Sequence, residues 1–221
     1  MKIKNFIKVV GIILLVFIIL MLIHSIRNYM IVRELQNKIS KYENSTNYHI
    51  KSETTEPNGI IMTVNSYRKD DKQATFIERK NNEEIAKISQ FSLMDKKGFN
   101  AYIERGETKI AQLETEGVYL LLPIYNGVEN DTSWHTFLAS MFAYIRSEKV
   151  NDKDCYVVSN FKSAISLIPQ GGVEYYIDKD TGLMVKSITN EQIAVREYEF
   201  DNVDDNIFEE PDISEYEIKV N

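Results

Sequence analysis

Eighteen residues near the N-terminus, Phe6 to Ile23 (FIKVVGIILLVFIILMLI), carry one charged side chain, Lys8, and run unbroken and apolar from Val9 onward. As a helix rising about 1.5 Å per residue, the segment spans roughly 27 Å, close to the hydrocarbon thickness of a bilayer, and Lys8 can reach the headgroups along its own apolar stem. A cleaved secretory signal competes for this pattern, but it needs small residues at a cleavage site. Here the apolar core runs straight into His24, Ser25, Ile26 and Arg27. A lipoprotein signal would need a cysteine at that point, and the one cysteine is Cys155. The run reads as a retained, single-pass anchor whose partner is the bilayer itself.

Lys2, Lys4, Lys8 and the α-amine crowd the short N-terminal flank, more densely than Arg27, Arg33, Lys38 and Lys41 occupy the other. The positive-inside rule then places residues 1–5 in the cytoplasm and the main domain outside it, at the cell membrane. Beyond the anchor, 23 basic residues face 33 acidic ones, a net of −10. Such a balance argues against nucleic acid, which is bound mainly through Lys and Arg at phosphates, and against a domain lying flat on anionic headgroups. One cysteine excludes an internal disulfide framework. Thirteen Tyr and ten Phe against one Trp favour a sheet-rich body.

Residues 24–44 read as a juxtamembrane helix. Ile31 or Val32, Leu35, Ile39 and Tyr42 recur at helical spacing, with Arg33, Glu34, Lys38 and Lys41 opposite. At under three heptads it suits packing on the following domain better than a coiled coil. From Tyr48 the pattern changes to strands about 10 to 13 residues apart, divided by turns such as Pro57-Asn58-Gly59 and Lys69-Asp70-Asp71-Lys72, the mark of an antiparallel meander with one apolar face. Leu120-Leu121-Leu122-Pro123-Ile124 leaves that sheet, and a helix is expected over 134–146, with Trp134, Phe137, Leu138, Met141 and Ile145 forming an apolar stripe. Strands resume at Cys155–Phe161, Val173–Ile177, Leu183–Thr189 and Ile193–Asn202. The turn Asp178-Lys-Asp-Thr-Gly182 places Gly at a positive-φ position. In the last strand Ala194, Tyr198 and Phe200 share one face and Glu197, Glu199 and Asp201 the other. Residues 217–221 form a tail.

No catalytic constellation emerges. His24, His49 and His135 lack metal-type spacing, Cys155 sits in an apolar strand, and no phosphate loop, dinucleotide fingerprint or nucleophile elbow occurs. Asp178, Asp180 and Gly182 are too closely spaced for a calcium loop. Asp201, Asp204, Asp205, Glu209 and Glu210 read as a solvated acidic loop rather than a cation site. No metal, no cofactor and no enzymatic activity are expected.

Phe99–Ile103, Val150–Val158, Tyr175–Gly182, Glu197–Phe200 and Phe208–Tyr216, taken in order, resemble the LolA/LolB-like superfamily of bacterial lipoprotein carriers, particularly membrane-tethered Gram-positive relatives, across 45–216. The resemblance implies an α+β fold: a curved, incomplete antiparallel β-barrel (half-barrel) with helices on its concave face, here preceded by the transmembrane helix. It also implies a pocket for acyl chains or, as in RseB-like members, a sensor of lipids and a membrane partner. A chain that keeps its anchor cannot shuttle freely. The expectation is an extracytoplasmic, non-catalytic module that holds a lipid, a lipoprotein acyl chain or another apolar ligand. Its expected lining is Ile60, Met62, Val64, Tyr102, Trp134, Phe137, Leu138, Met141, Tyr198 and Phe200. The alternative is that these side chains fill the core and the surface docks an envelope protein.

Overall fold

The computed structural model describes residues 3–81, 84–94, 98–116, 119–128, 137, 138, 140, 143–159 and 172–220. They divide into two compact units, Met1–Ser40 with Tyr125–Met184, and Lys41–Ile124 with Val185–Asn221.

In the first unit, anchor and juxtamembrane segment are one continuous helix, α1 (Ile3–Ile39). Residues Ile7–Ile39 form a candidate membrane span with mean hydropathy 3.1 over its most apolar window. The apolar side chains toward its start are open, Ile12 at 62% and Phe17 at 61% exposure, as a lipid-facing helix requires. From Ser25 the helix becomes one-sided. Ser25, Asn28, Val32, Leu35 and Ile39 are buried at alternating steps of three and four. Ile31, Val32 and Leu35 pack with Ile145, Val158 and Ile177 of three strands, β7 (Tyr144–Val150), β8 (Lys153–Ser159) and β9 (Val173–Asp178). The buried Asn28 is held there because its Nδ2 donates to the carbonyls of Ser140 (3.1 Å) and Ala143 (2.8 Å). The helix ends at Ile39, so Tyr42 lies outside it.

The helix expected over 134–146 is corrected at its end. Phe137, Leu138 and Ser140 are helical, whereas Tyr144, Ile145 and Arg146 belong to β7; Trp134 and Met141 lie outside the described residues. Ile145 is buried between the more exposed Tyr144 and Arg146, the period of a strand. Asn151 (φ 48°) and Asp152 (φ 62°) then close the β7–β8 hairpin in the left-handed conformation that two-residue turns favour.

The second unit is mostly sheet. Its strands are β1 (Asn47–Thr55), β2 (Ile61–Lys69), β3 (Lys72–Asn81), β4 (Glu84–Leu93), β5 (Phe99–Arg105), β6 (Thr108–Thr115), β10 (Met184–Thr189), β11 (Gln192–Phe200) and β12 (Glu217–Val220). They run in the order β12-β6-β5-β4-β3-β2-β1-β11-β10. The sheet is open and mixed, because β12 joins β6 in parallel while its neighbours along the sheet pair antiparallel. Residues 217–220, expected as tail, are therefore an edge strand. Between β10 and β11, Asn190 (φ 49°) and Glu191 (φ 68°) repeat the left-handed two-residue turn.

Both faces of this sheet are covered, neither by a helix longer than one turn among the described residues. On one face Ala74, Phe91, Tyr102 and Ala111 form a core against Ile207 and Phe208 of a short 3-10 helix (Asp205–Phe208) and against Ile213 and Tyr216. On the other, the extended segment 119–124 runs over small hydroxyl side chains. Thr75 Oγ1 donates to the Leu120 carbonyl at 2.7 Å, the Leu122 amide donates to Ser66 Oγ at 3.1 Å, and the two hydroxyls are 3.1 Å apart. Among the described residues the cover on this face is an extended strap pinned through buried oxygens. Strands that place Ser and Thr inward leave room for a second backbone and satisfy its polar groups.

Candidate functional site

Strand β1 runs between β2 and β11, and their registers define the rows of the strap-side face. Met62, Thr54 and Ala194 stand abreast, as do Val64, Ser52 and Arg196, then Ser66, Ile50 and Tyr198, then Arg68, Tyr48 and Phe200. Side chains on directly paired residues project to the same side. The face is apolar at its centre, with Ile50 and Val64 buried and Met62, Tyr198 and Phe200 half-buried. Phe200 meets Tyr42, whose sequence spacing points to a helix, at 4.7 Å with the rings tilted by 34°, and lies parallel to Tyr198 at 6.5 Å. Burial raises the hydroxyl pKa of Tyr48, against the pull of Arg68, and pushes Tyr119 of the strap up to about 12.

Arg196 is the residue that pattern reading passed over. Its Nε and Nη1 are buried with no hydrogen-bond partner. No carboxylate stands in the four rows, because Glu53, Glu197 and Glu199 alternate to the opposite face. Arg196 is half-buried and its guanidinium bonds the Tyr198 side chain, which leaves Nε and Nη1 for an anion to pair. The signal in the sequence was one Arg at an inward position of an otherwise apolar and aromatic strand.

The expected lining divides. Met62, Val64, Tyr198 and Phe200 share the face just described. Ile60 precedes β2 in the turn closed by Glu56 N donating to Ile60 O, and is buried. Tyr102 stands on the opposite face: the registers carry it through Ser89 and Phe76 to Asn65 and Lys51, out of step with Val64 and Ile50. There it packs in the Phe91 core and its hydroxyl donates to the Glu210 carboxylate, which with burial raises its pKa. Phe137 and Leu138 belong to the first unit, where Phe137 meets Tyr29 edge-on at 5.8 Å and Leu138 is exposed. Trp134 and Met141 fall outside the described residues.

Other reactive side chains serve structure. His49 stacks on Tyr67 at 4.2 Å and bonds Asn65 at 3.2 Å. Burial raises the pKa of Cys155, which disfavours the thiolate. Asp178 accepts from Asp180 N (2.9 Å) and Thr181 Oγ1 (3.0 Å), closing its own turn. Asp205 takes Lys69 (2.8 Å) and Lys72 (3.4 Å), and Glu210 also accepts from Asn100 (2.9 Å). Among the described residues no group of three or more His, Cys, Asp or Glu side chains is placed to hold a metal ion.

No family model and no curated protein matches the chain. Among the solved structures similar to it are three at 8 to 11% identity. An uncharacterized conserved protein from Thermus thermophilus is 8% identical over 86% of this chain and 98% of its own, with a TM-score of 0.45. A DUF1329 family protein from Desulfovibrio piger is 11% identical over 84% of this chain and 97% of its own, with a TM-score of 0.31. MucB in complex with MucA(peri) is 11% identical over 80% of this chain and 58% of its own, with a TM-score of 0.35. At these scores the likenesses carry no argument.

Proposed function

We propose that this chain is a bilayer-tethered, non-catalytic module, held outside the cytoplasm by Phe6–Ile23, that binds an amphiphile with an acyl chain and an anionic head. The observation that carries the reading is the strap-side face of the sheet. Met62, Tyr198 and Phe200 remain half-buried around Ile50 and Val64, beside an Arg196 guanidinium that bonds the Tyr198 side chain and keeps Nε and Nη1 unpaired. Each methylene transferred onto such a face gains about 0.8 kcal/mol, so an acyl chain needs little polar help beyond a charge for its head. The sequence resemblance to LolA/LolB-like carriers points the same way. The anchor confines the module to ligands at or near its own membrane.

The test is photocrosslinking with a diazirine-bearing palmitate in phosphatidylcholine vesicles, with crosslinked peptides located by mass spectrometry. Crosslinks are expected in 61–69 and 192–200 as well as in 6–23. Met62→Glu places a carboxylate beside Arg79, its register partner on β3, so the fold is kept while the sheet crosslinks fall and the anchor crosslinks stay. Crosslinks confined to 6–23 would overturn the proposal.

A further inference from the structure

A second feature of the sheet unit lies where the row of Phe200, Tyr48 and Arg68 continues through Gln73 and Ser92 to Phe99. Where β3 begins, β4 and β6 end and β5 begins, an open cleft of about 670 Å³ is set between the strand ends and the segment after the 3-10 helix. Its apolar lining comprises the half-buried Leu93 and Phe208 and the buried Phe91 and Phe99, and its carboxylates are Glu114, Glu116, Asp205, Glu209 and Glu210. Asp205 and Glu210 are spoken for by Lys69, Lys72, Asn100 and Tyr102. Glu114, Glu116 and Glu209 are exposed, and no cation stands within ion-pair distance of them among the described residues. The one cation in the cleft among those residues, Lys72, is held by Asp205.

We propose that this cleft docks a basic segment of another protein. An apolar side chain of the segment sits on Leu93 and Phe208, and flanking Lys or Arg heads meet Glu114, Glu116 and Glu209. The volume lies in the range of small-ligand and peptide pockets and suits a few side chains rather than a folded face. Charge complementarity picks the sign of the partner: three open carboxylates repel an acidic one and steer a basic one. The apolar patch of Leu93 and Phe208 picks a peptide over a bare polycation. Lys and Arg stems lie along apolar surface while their heads reach the rim, and an apolar anchor supplies the contact area that rim pairs lack.

The experiment uses the full chain in phosphatidylcholine nanodiscs and a fluorescently labelled peptide, Lys-Phe-Lys-Leu-Lys, read by anisotropy against empty nanodiscs. Binding is expected to weaken as salt rises from about 50 to about 300 mM. The triple variant E114Q/E116Q/E209Q is expected to weaken it about tenfold, and replacing Phe and Leu of the peptide by Ala is expected to do likewise. Glu84→Gln, which opens the exposed Arg105 pair elsewhere on the sheet, should leave it unchanged. The charge-reversed variant E114K/E116K/E209K should instead bind Glu-Phe-Glu-Leu-Glu, a gain that misfolding cannot mimic. No binding by the wild-type chain, equal binding by the triple Gln variant, or displacement of the peptide by spermine at equal concentration would each overturn the proposal.

Discussion

Gly182 is where the first unit is most sensitive to a single methyl group. It lies at φ +75°, and a Cβ built there would come within 2.7 Å of the Leu35 carbonyl oxygen, 2.9 Å of the Ile39 amide nitrogen and 2.9 Å of Lys38 Cβ. Two of these are backbone atoms of α1, so a rotamer change cannot relieve the clash. The turn is otherwise fixed to that helix by Lys38 Nζ donating to the Lys179 carbonyl at 2.5 Å. For Gly182→Ala the left-handed conformation costs roughly 1–2 kcal/mol, and overpacking adds roughly 1–3 kcal/mol. Reduced entropy of the unfolded chain returns about 0.4–1 kcal/mol. The net loss is roughly 2–4 kcal/mol. Gly106 supplies the control, since it has φ +56° and a Cβ placed there would meet nothing within 4 Å. Gly106→Ala meets the backbone penalty alone, a net of about 1 kcal/mol or less. Urea unfolding of both variants in detergent measures the difference, and hydrogen exchange at the Asp178 amide, bonded to Leu183 O at 2.9 Å, locates it. Equal losses in the two variants would refute the argument that close approach to α1, rather than φ, holds Gly at 182.

Ser66→Ala leaves the Leu122 amide without its acceptor; about 1–3 kcal/mol of stability is expected to be lost, with faster exchange at that amide while β6 amides stay protected. Burial, with a hydrogen bond to Glu104, pushes the Tyr216 hydroxyl up to about 12. Its neutral form is thus favoured by folding, and the stability it contributes is whole below the ordinary tyrosine value of 10 and lost as pH rises from 10 to about 12. An ultraviolet phenolate titration and the exchange of β12 amides should therefore move together in that window, and in Tyr216→Phe the alkaline loss of β12 protection should shrink. Leu15→Arg puts a charge near the middle of the apolar run, at a cost of about 2.5–3.5 kcal/mol, and should shift the chain out of the membrane fraction. Protease outside intact cells should cut the wild-type sheet unit, and full protection would reverse the assigned orientation.

What the sequence made legible was local. Period-two alternation bounded by Asn58-Gly59 and Asp180-Thr181-Gly182 located the strands, and the positive φ of Gly59 and Gly182 follows from those turns. The inward position of Tyr198 and Phe200 against outward Glu197 and Glu199 was likewise readable from one strand. The misreadings involve distant partners. Ile145 continues an apolar stripe at helical spacing, and the pairing of Tyr144–Val150 with β8 overrides that stripe. Four residues of β12 have little intrinsic strand signal and are held by β6, more than a hundred positions earlier. Tyr102 was grouped with Val64 by its apolar character, yet its face depends on a register carried through three hairpins.

Charge separates the two recognition chemistries. The rows through β1 place Arg68 and Arg196 among apolar side chains and turn Glu53, Glu197 and Glu199 away, while the cleft at the ends of β4 and β6 gathers three unpaired carboxylates around Leu93 and Phe208. An anionic amphiphile is repelled where a basic peptide is attracted, so a chain with a net of −10 beyond its anchor can hold both without competition between them. The two sites then fail independently. Met62→Glu should reduce palmitate crosslinking and spare peptide anisotropy, and E114Q/E116Q/E209Q should do the reverse. Loss of both signals in either variant would mean that one surface, or the fold as a whole, had been mistaken for two.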